Sequence, residues 1–249
     1  MAPNAIKDPD RDFPRSPRYR IMGAFSCFTP MNTYIPRRVL IIRLSAIGDI
    51  VMASGLISAL RVLWPEAHLA WLAEKGPAEL LKHNNQLDQV IELPRQRWKA
   101  MGREGRRSAA WSEMRETARA LRAESFDLVL DLQGLLKSGI WAWATAAPRR
   151  IGLGSREGSQ WLMTETFKRN ETDPRMGKEY RALAVHLGAV ESDFRAHLAI
   201  PSAISQRAET LLKRHCPEGT KTALLAPFTT RPQKHWFDEE WIALAEHLH

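Results

Sequence analysis

The stretch Ile41–Ile50 constrains the fold of this chain more than any other part of the sequence. An apolar, strand-like run passes into a turn of small residues that contains Gly48, and Asp49 stands where a helix is predicted to begin. A strand that enters a helix through such a turn presents free backbone N–H groups and the positive end of the helix dipole above the sheet. The sequence therefore predicts a ligand site here, suited to anions and sugar hydroxyls.

Strand and helix signals alternate from Arg38 onward, without an internal repeat. The strand signals are short apolar runs, and the helix signals are apolar residues at helical spacing. Strands are predicted at Val39–Leu44, His68–Ala73, Val90–Leu93, Leu128–Leu132 and Arg150–Leu153. Helices are predicted at Ile50–Leu63, Pro77–Lys82, Ser108–Glu124, Leu135–Ala146, Lys178–Leu187 and Ile204–His215. This alternation predicts an α/β fold with a parallel sheet that is covered on both faces.

The chain divides into three predicted regions. Residues 1–37 are rich in Pro and Arg, which predicts a disordered leader. Residues 38–200 hold the alternating elements of a first domain. Within residues 201–249 we expect a new strand at Thr222–Pro227 and a helix at Asp238–His249. One strand and one helix cannot build a second α/β domain, so either another chain completes the sheet or the domain is truncated, and we expect truncation.

The charge balance favours negatively charged partners. The chain carries 36 Lys and Arg against 28 Asp and Glu, a formal net charge of +8 at pH 7. Phosphates and anionic lipids fit this sign, whereas nucleic acid fits less well because no recognised binding motif accompanies the charge. Cys27 and Cys216 lie far apart and the histidines are scattered, so neither a disulfide framework nor a metal site is predicted. Without a signal peptide or an apolar run of about 18 residues, a cytoplasmic location is expected.

Three segments stand at the carboxyl ends of predicted strands, where open α/β sheets bind ligands. They are Leu44–Asp49, Asp131–Ser138 and Pro227–Trp236. Together these segments resemble the bacterial heptosyltransferases of glycosyltransferase family 9. With Arg97–Lys99 between them, they are most similar to the heptosyltransferase I branch. The resemblance extends over residues 38–249.

The resemblance implies a GT-B glycosyltransferase with two Rossmann-like domains. The N-terminal domain would bind the acceptor, and the C-terminal domain, truncated here, would bind the nucleotide sugar. Members of the family transfer L-glycero-D-manno-heptose from ADP-heptose to Kdo-lipid A of the lipopolysaccharide inner core, with inversion and without a metal. ADP-heptose is then the donor substrate, and no cofactor is expected. A lipid-linked acceptor and the positive charge together predict a peripheral contact with the inner leaflet of the cytoplasmic membrane.

The resemblance also assigns roles to acceptor-side residues. Asp49 matches the catalytic aspartate, the general base toward the acceptor hydroxyl. Without the resemblance, Asp49 reads as an ordinary helix cap. Ser45 and Gly48 would shape the turn against the acceptor. Lys137 would offer a positive charge to an acceptor carboxylate or phosphate, with Gln133 beside it, although Lys137 alone reads as an ordinary exposed lysine.

A second set of residues matches the donor-phosphate segment of the family. Thr229, Thr230 and Lys234 would neutralise the diphosphate of ADP, unless they form a surface loop over Trp236. Family members continue beyond this point through an Asp-Thr-Gly element and a His that help to hold the nucleotide. Two alternatives therefore stay open: a transferase that uses another nucleotide sugar, and an inactive truncated chain that binds acceptor or other anions.

A basic cluster surrounds Trp98. It consists of Arg95, Arg97, Lys99, Arg103, Arg106 and Arg107. One interpretation is a loop in solvent, and the other is a surface that faces the anionic headgroup of lipid A.

Overall fold

The computed structural model describes residues 34–168, 177–216, 219, 221–229 and 232–248. The strands are β1 (Arg38–Ile42), β2 (His68–Glu74), β3 (Gln89–Leu93), β4 (Leu128–Asp131), β5 (Arg149–Leu153) and β6 (Glu165–Phe167). The helices are α1 (Ile47–Ala53), α2 (Gly55–Leu63), α3 (Lys75–Ala78), α4 (Arg95–Arg103), α5 (Arg107–Ala123), α6 (Leu136–Ala144), α7 (Lys178–His186), α8 (Ser202–His215) and α9 (Asp238–Leu248). Residues 1–33 of the predicted leader lie outside the described residues.

The strands form one parallel six-stranded sheet with the order β3-β2-β1-β4-β5-β6. The predicted α/β fold with a parallel sheet is confirmed. The central strands are apolar throughout and buried on both faces, as Val39–Ile42 and Leu69–Ala73 show. Such unbroken apolar runs are what a sheet covered by helices on both faces requires. None of the described helices is long and apolar enough to span a membrane.

The strand order reverses between β1 and β4, which places a crevice at their carboxyl ends. Ile42, the last residue of β1, pairs with Asp131, the last residue of β4, so these two strands end level with each other, while β2 continues past Leu72 to Glu74. In open α/β sheets, ligands bind at such a reversal of strand order. The turn after β1 and the turn after β4 therefore lie side by side at the place where a ligand is expected.

One predicted helix, Ile50–Leu63, begins earlier and is broken in two. It starts at Ile47, and Ser54 separates α1 from α2. The Ser54 hydroxyl donates to the carbonyl of Val51 at 2.8 Å and accepts the N–H of His197 at 3.1 Å. The break therefore depends on a segment distant in the sequence, which spacing within the helix could not reveal.

The predicted strand Thr222–Pro227 is wrong. Residues 221–229 form no strand, and Leu224 and Phe228 are 94% and 90% exposed. A strand needs a neighbour for its backbone hydrogen bonds, and all strand pairs of the described residues lie within β1–β6. The short, exposed β6 and the basic helix α4 were not predicted from the sequence.

Candidate active site at the carboxyl ends of β1 and β4

Asp49 caps helix α1 and remains accessible. Its Oδ2 accepts the N–H of Ala46 at 3.2 Å, as the third residue of a capped helix often does, and forms an ion pair with Arg43. Its Oδ1 makes no hydrogen bond with any described residue, and the side chain is 34% exposed. The cap and a catalytic role are therefore compatible, because the two functions would use different oxygens of one carboxylate.

Arg43 holds this carboxylate in place and was missed in the sequence. Its guanidinium is buried, pairs with Asp49, and donates from Nη1 to the carbonyl of Leu132 at 2.9 Å. A buried guanidinium is costly unless it is paired, so Arg43 links the end of β4 to the start of α1. The available signal was a charged residue inside the otherwise apolar run Val39–Leu44.

Gln133 joins the two turns. Its side chain is buried, and its Oε1 accepts the N–H of Leu44 at 3.0 Å. The next residue, Gly134, has φ +65°, and a Cβ there would lie 2.4 Å from the carbonyl oxygen of Leu153. The position thus requires glycine. The acceptor contact of Gln133 stays a prediction, and its amide oxygen is already engaged with the backbone.

A buried carboxylate, Asp131, organises the turn that leads into α6. Its Oδ1 accepts the N–H groups of Gln133 and Gly134 at 3.0 and 3.2 Å, and its Oδ2 accepts the Ser138 hydroxyl at 3.0 Å. Burial raises the pKa of Asp131, against the opposing effects of these hydrogen bonds and of Arg43. Sequence reasoning assigned it no role, although an acid that ends an apolar strand was a visible signal.

Asp131 makes a testable contribution to stability. Because its pKa is raised above the ordinary 3.8, the folded state binds more protons than the unfolded state between the two pKa values. Its contribution is fully present below about pH 3.8 and is lost as pH rises through the folded-state pKa. Asp131→Asn keeps the acceptor for both N–H groups and can donate to Ser138. We expect the stability of Asp131→Asn relative to the parent to increase with pH, measured by urea unfolding.

The matched variant is Asp131→Ala, which leaves the N–H groups of Gln133 and Gly134 without their acceptor. It should cost about 1–3 kcal/mol for each buried group left unpaired. Identical pH slopes for the parent and Asp131→Asn would contradict the raised pKa.

Lys137 stands in the first turn of α6. It is half-buried, and among the described residues its ammonium forms no hydrogen bond or ion pair. Burial, followed by the charge of Arg95, lowers the pKa of Lys137, while Glu74 opposes the shift. Glu74 is itself paired with Arg95 at 2.9 Å. A carboxylate or phosphate bound beside Lys137 would stabilise its charged form.

The basic cluster lies on helix α4 and at the start of α5, so the interpretation as a loop is wrong. Trp98 is buried and stacks on Trp141 of α6 with ring centroids 5.5 Å apart. Its indole N–H donates to Glu113 at 3.1 Å. Arg95, Arg97 and Arg106 are ion-paired to Glu74, Glu113 and Glu104, respectively. Sequence spacing missed α4 because its buried side chains depend on partners from α5 and α6.

The residues predicted to bind the diphosphate of the donor sugar lie in the C-terminal part of the chain, far in sequence from Asp49 and Lys137. Thr229 and Lys234 are exposed within residues 221–237, and Thr230 lies outside the described residues. His235 Nε2 is 2.8 Å from the carbonyl oxygen of Thr229. Trp236 packs edge-on against Trp241 at 5.2 Å. The phosphate-binding roles stay predictions.

The described residues contain no group of three or more His, Cys, Asp or Glu side chains that could hold a metal ion. The turns and first helical turns after β1 and β4 carry Ser45, Gly48, Asp49, Gln133 and Lys137, and they are held by the buried Arg43 and Asp131.

Comparison with curated proteins identifies relatives that align over most of this chain. The chain is 24% identical over 223 residues to the lipopolysaccharide core heptosyltransferase OpsX of Haemophilus influenzae, covering 88% of this chain and 59% of the relative. It is 26% identical over 220 residues to lipopolysaccharide heptosyltransferase 1 of Escherichia coli K12, covering 83% and 63%. The chain thus spans about three fifths of the length of these relatives.

Solved structures share the fold. A family 9 glycosyltransferase from Veillonella parvula matches with a TM-score of 0.67 at 19% identity, covering 85% of this chain and 60% of that chain. An E. coli heptosyltransferase solved with ADP-2-deoxy-2-fluoro heptose matches with a TM-score of 0.61 at 24% identity, covering 85% and 65%. The model of glycosyltransferase family 9 (heptosyltransferase) matches residues 114–249, more than half of the chain. The chain therefore belongs to glycosyltransferase family 9, the heptosyltransferase family.

Proposed function

We propose that the crevice between β1 and β4 serves transfer of heptose from ADP-heptose to Kdo-lipid A, with inversion and without a metal. The observation that carries the proposal is that only one of the two carboxylate oxygens of Asp49 is bound by neighbouring groups. Its Oδ2 is held by Arg43 and the N–H of Ala46, while Oδ1 has no partner among the described residues. The named activities of the relatives support the choice of sugar and of a lipopolysaccharide acceptor.

Asp49 would act as the general base. Its free oxygen takes the proton of the acceptor hydroxyl as the hydroxyl oxygen forms a bond to the anomeric carbon of heptose. The bond from that carbon to the diphosphate oxygen breaks, and its electron pair leaves with ADP. Attack from the face opposite ADP inverts the anomeric centre. One carboxylate suffices because a diphosphate needs no protonation to leave, unlike the sugar oxygen in most glycoside hydrolases.

The acceptor would lie over the turn after β1 and against Lys137. Gly48 is exposed, and a Cβ built there meets no atom within 4 Å, so the turn leaves space for a sugar. The Lys137 ammonium would bind a carboxylate or phosphate of the acceptor. Thr229, Thr230 and Lys234 would neutralise the donor diphosphate as negative charge develops on ADP.

The test is an assay of the purified chain with Kdo-lipid A and one nucleotide sugar at a time. We expect transfer from ADP-heptose, unaffected by a metal chelator, and an acceptor whose mass increases by one heptose. Inversion is read from the anomeric signal of the product by NMR. Equal transfer from other nucleotide sugars would favour the alternative donor. Absence of transfer by a chain shown to be folded by circular dichroism would contradict the proposal for this chain.

The same proposal places the protein at the cytoplasmic face of the inner membrane, in peripheral contact with it. Such a contact, driven by the net charge of +8, is screened by salt.

A further inference from the structure

Helices α4, α5 and α6 enclose an apolar groove of about 330 Å³. We call it the tryptophan groove; its apolar lining includes Trp98, Trp111, Met114, Ile140, Trp141 and Trp143. Trp98 and Trp141 stack on each other and are buried. Trp111, Trp143 and Ile140 are 66%, 61% and 47% exposed. Soluble proteins rarely group so many exposed large apolar side chains without a binding role.

The charged residues that line the groove are positive, although Glu74 pairs with Arg95 and Glu113 accepts the indole N–H of Trp98. Arg95, Arg115 and Lys137 lie among its lining residues. A neighbouring depression of about 300 Å³ shares Trp143 and adds Arg122 and Arg150. Of the described residues, no Asp or Glu lines either depression. The positive charge of the lining favours an anionic partner. The exposed indoles favour a partner with an apolar interior.

An anionic lipid bilayer has both properties. Tryptophan side chains favour the boundary between lipid headgroups and acyl chains. Arginine and lysine lay their apolar stems along such a surface and place their charges at the phosphates. We propose that the tryptophan groove docks this protein on an anionic bilayer, with the indoles of Trp111 and Trp143 at the acyl-chain boundary and the surrounding cations on the lipid phosphates.

The docked orientation would serve the site at Asp49. Lys137 lines the tryptophan groove and stands in the first turn of α6, which follows β4, while Asp49 stands in the first turn of α1, which follows the neighbouring strand β1. Docking through the groove would therefore bring the lipid phosphates of the bilayer to Lys137, on the side of the reacting carboxylate. In this respect the inference rests on the proposed function, because a lipid-linked acceptor has to reach Asp49 from the membrane.

The test measures binding of the 249-residue chain to vesicles that contain neither Kdo-lipid A nor ADP-heptose. One set of vesicles is phosphatidylcholine alone, and the other holds phosphatidylcholine and phosphatidylglycerol in equal parts. We expect binding to the anionic vesicles, weakened by added salt. Trp111→Ser and Trp143→Ser should each weaken it by roughly 10-fold, because an inserted aromatic side chain buries a large apolar area.

Charge variants test the second half of the proposal. The double variant Arg115→Gln with Arg122→Gln should weaken binding to anionic vesicles by roughly 25-fold at low salt, about fivefold for each cation near the surface. Two controls lie outside both depressions. Trp161→Ser replaces a tryptophan that is 84% exposed, and Arg207→Gln replaces an exposed arginine of α8. Both should bind as the parent does.

Three results of the vesicle assay would overturn the proposal. They are parent-like binding by both groove tryptophan variants, binding that ignores the anionic lipid, and failure of the parent to bind any vesicle. Self-association without lipid that is lost in Trp111→Ser would assign the groove to a second copy of the chain and would also overturn it. Unchanged thermal unfolding of the exposed variants separates lost docking from lost folding. Because no substrate is present, the outcome is independent of whether the chain transfers heptose.

Discussion

Replacing Asp49 by asparagine is expected to lower kcat for heptosyl transfer by roughly 10²- to 10⁴-fold, the usual range for loss of a general base. The amide keeps an oxygen for the N–H of Ala46, so the helix cap survives, but it cannot take a proton from the acceptor hydroxyl. The KM values for donor and acceptor should change little, since Asp49 acts mainly in the transition state. Steady-state kinetics of parent and variant check this result.

Asp88 provides a matched control for Asp49. It too accepts one backbone N–H, from Leu69 at 2.7 Å, and pairs with one arginine, Arg61, at 2.7 Å. These contacts lie at the amino end of β3, away from the crevice. Asp88→Asn should therefore keep the parent kcat while losing a comparable structural contact. If the kcat of Asp49→Asn equals that of Asp88→Asn, Asp49 acts only as a helix cap and not as the general base.

Gly134→Ala is expected to destabilise the fold by roughly 2–5 kcal/mol, from a left-handed backbone and an overlapping Cβ. The φ of +65° disfavours any side chain, and the new Cβ would lie 2.4 Å from the carbonyl oxygen of Leu153. That oxygen belongs to the backbone of β5, so it cannot move away from the new Cβ as a flexible side chain could. The turn between β4 and α6 would have to move, and Asp131 would lose its place. Urea unfolding measures the loss of unfolding free energy. An unchanged dependence of that free energy on urea concentration shows that the unfolded state is the same in both proteins.

Gly48→Ala is the matched variant at the other turn. A Cβ at Gly48 meets nothing within 4 Å, and α1 continues through this residue. Alanine should leave stability unchanged or increase it by up to about 1 kcal/mol, because alanine favours helix. Equal stability of Gly48→Ala and Gly134→Ala would refute the packing argument. In the transfer assay, Gly48→Ala is expected to raise the KM for the acceptor, since the added methyl group occupies the space above the turn.

Local patterns were sufficient for the framework of this protein. The apolar runs that became β1, β2 and β4 predicted a parallel sheet. Strands that are covered by helices on both faces bury nearly every side chain, and their sequences are therefore almost continuously apolar. Each turn residue adjoins its strand in the chain, so Asp49 and Lys137 could be placed at one edge of the sheet before any contact was known. The resemblance of three short segments then indicated the family that the comparisons confirm.

The contacts between the residues of the candidate site could be identified only from the tertiary structure. Arg43 reaches the carbonyl of Leu132, Asp131 orders the turn before Lys137, and Trp98 of α4 stacks on Trp141 of α6. The expected strand Thr222–Pro227 failed for a related reason, because β structure depends on a neighbouring strand as much as on its own residues. The sequence by itself determined that β1, β2 and β4 are buried and which residues follow each of these strands, since unbroken apolar runs and the order of residues can be read along the chain. Only the tertiary structure decided how Asp49 is held and which apolar side chains stay exposed, since both depend on contacts between residues far apart in the sequence.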